Sequence, residues 1–392
     1  MVRKIETALV QAGRAPVRQY GFVNPPLKRG STVLHESVAA KKAVGQRGFE
    51  AVEIYGLMGN ETHFALEAAI AEIEGGTRAQ VTGSGLSAIT LPLLAYLNTG
   101  EHLLVPDSVY GPTRSFCDSV LRRFGVETTY YDPMVTPKEL EHLFRSNTKV
   151  LFTESPGSHT FEVQDIPGLA DVAHRHGTKV FLDNTWGILH FAPFQHGVDV
   201  SIHALTKYPG GHSDIILGAV VVNTAEDWHW LRQGALETGN YASPDDCWLA
   251  LRGLRSLHVR LKAAEAAGLR IANWLAARPE VARVLHPALP SCPGHEFFKR
   301  DFTGACGLFG VVFHPQYSAE DVVRMIDSLQ MFGIGASWGG FESLVLPTTG
   351  TIRRSAGTGR FEGEALRLQI GLENIDDLIT DLEQGLAALR GA

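Results

Sequence analysis

Cysteine is scarce in this chain. The four residues, Cys117, Cys247, Cys292 and Cys306, are scattered and form no CxxC pair. That excludes a disulfide framework or a zinc ribbon as the basis of the fold and predicts reduced, mostly buried thiols in a cytoplasmic protein. No run of about 20 apolar residues exists, so no membrane-spanning helix is predicted. The start, Met1-Val-Arg-Lys-Ile-Glu, carries charge early and lacks an apolar core of signal-peptide length. Positive charge is also in short supply: 35 Lys and Arg stand against 42 Asp and Glu. A nucleic-acid binder needs a basic face, and nothing here supplies one. His190, His196 and His203 lack metal-ligand spacing, so structural or surface roles and no metal site are expected. No internal repeat or low-complexity tract is visible.

What is abundant is glycine, 41 residues, much of it at junctions between apolar runs and amphipathic stretches. Residues 1 to 60 hold Pro and Gly and little helical period apart from Lys4 to Ala12; they read as an extended arm that packs on a neighbouring subunit. From Glu61 the apolar face Phe64, Leu66, Ala69, Ile70 and Ile73 predicts a helix stopped by Gly75-Gly76. Short apolar strands then alternate with helices: Arg78–Thr82, Leu103–Pro106, Val126–Tyr130, Val150–Thr153, Lys179–Asp183 and Ile215–Val222 as strands, with Leu86–Leu97, Thr113–Phe124 and Leu169–His176 as helices. That alternation predicts an α/β fold with a mostly parallel sheet and flanking helices. A long helix over Leu249–Trp274 leads into a smaller α+β domain, with strands Val281–His286, Leu308–His314 and Leu366–Gly371 and helices Val322–Leu329 and Ile375–Leu389. The expected partition is arm 1–60, large domain 61–250 and C-terminal domain 251–392.

The chemistry concentrates in Asp199-Val-Ser-Ile-His-Ala-Leu-Thr-Lys207-Tyr-Pro-Gly-Gly-His-Ser-Asp214. An apolar strand ends in Thr206-Lys207 and two glycines follow. A lone lysine is ordinarily a surface residue, but one delivered from a strand end into a glycine turn is placed to enter a pocket. A desolvated lysine has a lowered pKa, and its neutral amine can form a Schiff base with an aldehyde. Asp183 ends a buried strand, where open α/β sheets place ligand groups, and an acid there can hold a proton on a ring nitrogen. Gly83-Ser84-Gly85-Leu86-Ser87 joins a strand to a helix, and backbone N–H groups at a helix start suit phosphate. Each signal is weak alone. Together they supply an amine for an aldehyde, an acid for a pyridine and amides for a phosphate, which is what pyridoxal 5'-phosphate requires. Tyr110 follows another strand end and could stack on the ring.

On these residues the chain resembles the cystathionine γ-synthase/β-lyase family of fold-type I pyridoxal phosphate enzymes. The matching segments are Tyr55-Gly-x-x-Gly59-x-x-Thr62, Ser84-Gly, Tyr110, Glu154-Ser-Pro-Gly157, Asp183-Asn-Thr-Trp, Thr206-Lys207-Tyr-x-x-Gly-His212-Ser-Asp214 and Arg252-Gly-Leu-Arg255. His286-Pro-Ala-Leu-Pro290, Arg300-Asp-Phe-Thr-Gly304, Ser337-Trp-Gly-Gly340 and Arg367-x-x-Ile-Gly-Leu-Glu373 extend it towards the C-terminus. Arg300-Asp-Phe-Thr-Gly304 and Ser337-Trp-Gly-Gly340 resemble the bacterial β-lyase branch. The resemblance implies that Lys207 binds the cofactor aldehyde and then removes the substrate's Cα proton. It implies that Asp183 pairs with the pyridinium nitrogen and Tyr110 stacks on the ring. Ser84, the Gly85 and Leu86 amides and the Thr206 hydroxyl would hold phosphate. Arg367 would clamp the substrate α-carboxylate, with Ser337 and Trp338 nearby, and Tyr55 would reach the cofactor phosphate from a partner subunit. The implied activity is α,β-elimination on cystathionine or related cysteine S-conjugates, in a homotetramer built as a dimer of dimers.

The chain departs from the pattern in three places. Tyr55-Gly56-Leu57-Met58 has leucine where the family carries arginine, Ala336 stands where β-lyases carry tyrosine, and Ala204 where many relatives have serine. Leu57 predicts either another donor or a less polar distal pocket. The alternatives are a γ-lyase or γ-synthase of the same family, or a non-catalytic cofactor-binding regulator.

Overall fold

A computed structural model describes residues 4–15, 21–356 and 361–391. The chain forms two compact units, each drawn from several stretches: Met1–Thr99, Phe181–Thr185 and Ala192–His258 in the first, Gly100–Val180, Trp186–Phe191 and Val259–Ala392 in the second.

The first unit opens with helices α1 (Ile5–Gln11) and α2 (Val38–Gly45). It continues through α3 (Glu61–Glu74) to β1 (Arg78–Thr82) and α4 (Gly85–Tyr96). Asn60 caps α3: its side chain accepts from Thr62 N at 3.0 Å, and the His63 ring accepts from Asn60 N at 3.2 Å. Gly75, left-handed at φ 75°, closes it. The arm lies back on this unit through the buried residues Ala8, Leu9 and Ala12 and through hydrogen bonds. Thr62 Oγ1 donates to Pro26 O and Trp248 Nε1 to Pro25 O, while Arg255 Nη1 donates to Leu9 O and Ala12 O. Helix α2 buries none of its residues.

Between α4 and the helix Gly111–Phe116 comes β2 (His102–Pro106), followed in chain order by β3 (Glu127–Tyr131), β4 (Thr148–Glu154), β5 (Lys179–Asp183), β6 (Val200–His203) and β7 (Gly218–Val222). In the first unit the strands run in the order β1-β7-β6-β5, with β5 parallel to β6 and β7 antiparallel to both neighbours. In the second, β4-β2-β3 are all parallel. The expected mixed, mainly parallel arrangement with covering helices is met. Burial on both faces explains why β2, β6 and β7 are buried at every position.

The second unit also holds a five-stranded sheet in the order β10-β11-β12-β9-β8, from β8 (Val281–Leu285), β9 (Leu308–Phe313), β10 (Gly333–Ile334), β11 (Leu344–Pro347) and β12 (Ala365–Gln369). Phe309, Val311, Leu366 and Leu368 from its strands share one core with Met325 and Leu382 from the helices Ala319–Ser328 and Ile375–Leu389. The expected helix over Thr113–Phe124 is present as one continuous helical run, α at Gly111–Phe116 and π at Cys117–Leu121. All four cysteines are free and buried, as their scarcity predicted.

Candidate active site

In the first unit, α4 begins where β1 ends. Ser84 caps it, its Oγ accepting from Ser87 N at 3.0 Å, and Ser84 O accepts from Ala88 N. The N–H groups of Gly85 and Leu86 in that first turn carry no hydrogen bond among the described residues, so the helix start presents two free donors. Gly85 is required by contact: a Cβ there would lie 2.5 Å from the Ala204 Cβ. The same contact accounts for a small residue at 204, three positions before Lys207.

Asp183 closes β5 and is tied to the Lys207 turn by a short chain of bonds. Its Oδ1 accepts from Thr185 Oγ1 at 2.6 Å and Thr185 N at 3.1 Å, and Thr185 Oγ1 in turn accepts from Ala204 N at 3.0 Å. Asp183 Oδ2 has no hydrogen-bond partner among the described residues. Burial raises the Asp183 carboxyl above its ordinary value, against the Thr185 bonds and the charges of His203 and Lys207, which lower it. Lys207 N donates to Ala204 O, and Lys207 O accepts from Gly211 N, closing the turn on both sides of the lysine. The Thr206 hydroxyl donates to Leu217 O and accepts from Leu217 N.

Sequence reasoning passed over two supporting groups. Thr185 is the link just described; its signal is the Asp-x-Thr spacing, which favours a local side-chain turn. His203, expected to be structural, pairs its Nε2 with Glu74 Oε2 at 2.6 Å, both side chains only 1% exposed. Ser201 Oγ and Asn184 Nδ2 also donate to that oxygen. Glu74 lies on α3, more than a hundred residues away in sequence, so no local pattern announces it.

Tyr55 is exposed, and with Arg29, Leu57, Tyr241 and Asp245 it lines a recess of about 560 Å³. Arg29 stands in the same recess as Leu57, but its fork is committed to Asp245, with Nε donating to Oδ2 at 2.9 Å and Nη2 to Oδ1. A cation thus lines the same recess as Leu57, and it is already paired.

The second unit holds the other expected residues. Tyr110 precedes the helix Gly111–Phe116, its ring exposed and its N–H donating to Glu154 Oε2 at 2.8 Å. Arg367 sits buried on β12, donating from Nη2 to Ser337 O at 2.8 Å, while its Nε is buried without a partner. Burial pushes the Arg367 guanidinium down to about 10, against Tyr110, which raises it. Ser337 and Trp338 are half-buried beside exposed Ala336. Among the described residues no group of acids, histidines or cysteines could hold a metal ion, and no helix is long and apolar enough to cross a membrane.

A lysine in a glycine turn, a half-buried acid bonded to that turn and two free N–H donors beside it form a set suited to pyridoxal phosphate. The residues present fit the cofactor: the open oxygen and raised pKa of Asp183 call for a cationic partner, and the start of α4 calls for an anion. The comparisons agree. The family described as Cys/Met metabolism PLP-dependent enzyme matches residues 6–387, and the chain belongs to it. It is 47% identical over 388 residues to a putative cystathionine beta-lyase of Rhizobium johnstonii, covering 98% of this chain and 96% of that protein. It is 40% identical over 394 residues to the cystathionine beta-lyase MetC of Escherichia coli, covering 99% of each. Among solved structures it resembles metB from Corynebacterium glutamicum, at TM-score 0.90 and 30% identity, covering 99% of this chain and 98% of that one. The cofactor of the family is pyridoxal phosphate, and its substrates are amino acids.

Proposed function

We propose that this chain is a carbon–sulfur β-lyase that cleaves cystathionine, or a related cysteine S-conjugate, to the free thiol, pyruvate and ammonia, with water consumed. The observation that carries the reading is the bond chain Asp183–Thr185–Ala204, which fastens the half-buried acid to the turn that presents Lys207. Full-length similarity to proteins named cystathionine beta-lyases supports the β position of cleavage.

The bound cofactor supplies an electron sink for the Cα carbanion. Asp183 keeps that sink cationic by holding a proton on the ring nitrogen. Gly85 and Leu86 N–H, with Ser84 and Thr206, hold the phosphate, and Tyr110 covers the ring. Arg367 orients the substrate α-carboxylate through a bidentate pair. Ser337 and Trp338 line the mouth beside it. The Lys207 amine takes the Cα proton at high effective concentration. The Cβ–S bond then breaks, and the leaving sulfur receives its proton from Lys207 or Tyr55.

Tyr55 is proposed to act on a neighbouring subunit's site, so the working form is at least a dimer, and a homotetramer by family resemblance. The exposed apolar residues of the arm, Phe22, Leu34 and Val38, support that reading, since a covering subunit would bury them. The partition into an arm to residue 60, a cofactor domain to 250 and a C-terminal domain remains part of the proposal, as does a cytoplasmic location. A second reading concerns the substrate's far end. Leu57 offers no charge and Arg29 is paired with Asp245, which favours thioethers with an apolar distal group.

The test is Lys207→Ala set beside a substrate panel. The variant should lose the visible absorbance of lysine-bound cofactor, and its turnover should fall by roughly 10²–10⁴-fold, the scale of a general base. Turnover surviving at wild-type level would overturn the assignment. S-alkyl and S-aryl cysteines turned over as well as cystathionine support the apolar distal pocket, and a strong preference for cystathionine rejects it.

A further inference from the structure

Five non-glycine residues among those described have a left-handed backbone, and two of them, His159 (φ 64°) and Ser337 (φ 77°), converge on Arg367. Such conformations persist only where the surroundings hold them, and they concentrate at functional sites. Ser337 meets Arg367 directly, its carbonyl accepting from Nη2. His159 meets it across the sheet. Arg367 pairs with Gly310 on β9. Residues opposite each other in an antiparallel pair carry their side chains on one face, with Cβ atoms about 4.5–5.5 Å apart. A Cβ at Gly310 would lie 3.1 Å from Leu285 Cδ1 and 3.3 Å from the His159 carbonyl. The backbone of His159 and the side chain of Leu285 therefore crowd the space that a side chain at 310 would fill on the Arg367 face of the sheet.

Two polar atoms in this neighbourhood are buried without partners, His159 Nδ1 and Arg367 Nε. Burial and the Arg367 charge push the His159 imidazole down to about 4, so it is neutral near pH 7. A neutral ring can donate a hydrogen bond without placing a second positive charge beside the guanidinium.

We infer that His159 is a second recognition group of the Arg367 anion site, its Nδ1–H and the Arg367 guanidinium together holding the substrate α-carboxylate. This rests on the reading of Arg367 as the carboxylate clamp. Each of these donors is buried without a partner, and one planar anion with two oxygens would satisfy both at once.

Propionate, a carboxylate with no amine and no thioether, probes this site alone. Its binding to the cofactor-loaded enzyme can be followed by calorimetry, with cystathionine kinetics measured alongside. His159→Gly suits the left-handed backbone and removes only the ring. It should weaken propionate binding roughly tenfold and raise KM by a similar factor, with kcat within about twofold. His159→Asn, which also tolerates this backbone but draws the donor inward, should weaken propionate in the same direction, and it serves should the glycine variant fail to fold. Wild-type propionate binding in the folded His159 variant, together with its loss in Arg367→Gln, would overturn the role of His159 and leave the clamp standing. Unchanged propionate binding in Arg367→Gln would overturn the clamp itself and this inference with it.

Discussion

Asp183 is a carboxylate whose burial works against its own charge. Its folded pKa is raised, so the fold favours the protonated acid. The contribution to stability is present below the ordinary carboxylate range and is lost as pH rises through the raised value. Above the ordinary carboxylate range the acid is therefore a cost to the cofactor-free protein, and in its proposed role a cationic ring nitrogen would offset that cost. Asp183→Asn should raise the Tm of the cofactor-free protein by about 2 °C or more at pH 7, with no gain near pH 3, while turnover of the loaded enzyme falls. Thermal unfolding at the two pH values decides the matter, and a lower Tm at pH 7 would contradict this account of the acid. Thr185 was legible only as part of a motif. Its work, bonding Asp183 on one side and Ala204 on the other, depends on β5 and β6 lying side by side, which no local pattern states.

The packing of the α4 start against the β6–Lys207 turn sets how closely phosphate donors and lysine approach. Gly85→Ala would force a Cβ to 2.5 Å from that of Ala204. Overpacking of this kind costs about 1–3 kcal/mol. Cofactor affinity should therefore fall by roughly 10–100-fold, and Ala204→Gly introduced into the same chain should restore most of it. Equilibrium titration of cofactor-free protein measures both, and failure of the second change to rescue would place the defect elsewhere.

Sequence reached some elements easily for physical reasons. Glu61–Glu74 and Ile375–Leu389 carry an apolar face and clear stops, and Lys179–Asp183 is a buried run between charged or turn-forming neighbours, so all three appear with the expected bounds. Helix α2 was missed because it buries nothing and so writes no apolar stripe. The helix Ala225–Glu237 was missed because two of its buried residues are Asp227 and Arg232, which read as surface. The two-residue strand β10 is too short for any periodicity.

Over the whole molecule, three histidines set the acid limit. His102, His159 and His286 are each pushed down to about 4, first by burial. Their ordinary value is about 6.5, so they contribute stability above that pH and lose it as pH falls through about 4. Tm should decline across this window with uptake of about three protons on unfolding, obtained from the slope of stability against pH; a flat profile would contradict it. Assembly is testable by mixing. If Tyr55 serves the partner's site, inactive Tyr55 and Lys207 variants unfolded and refolded together should regain about a quarter of wild-type activity, because half of the mixed dimers' sites are intact. Zero recovery, with mixed dimers present, would place Tyr55 in its own subunit's site.

The central claim is that Lys207, Asp183 and the α4 start hold a cofactor that cleaves at Cβ. Cofactor-loaded enzyme supplied with cystathionine, with the keto acid identified, tests it most directly. The account requires pyruvate with an equal amount of homocysteine; 2-oxobutyrate with cysteine, or no keto acid at all, would contradict it.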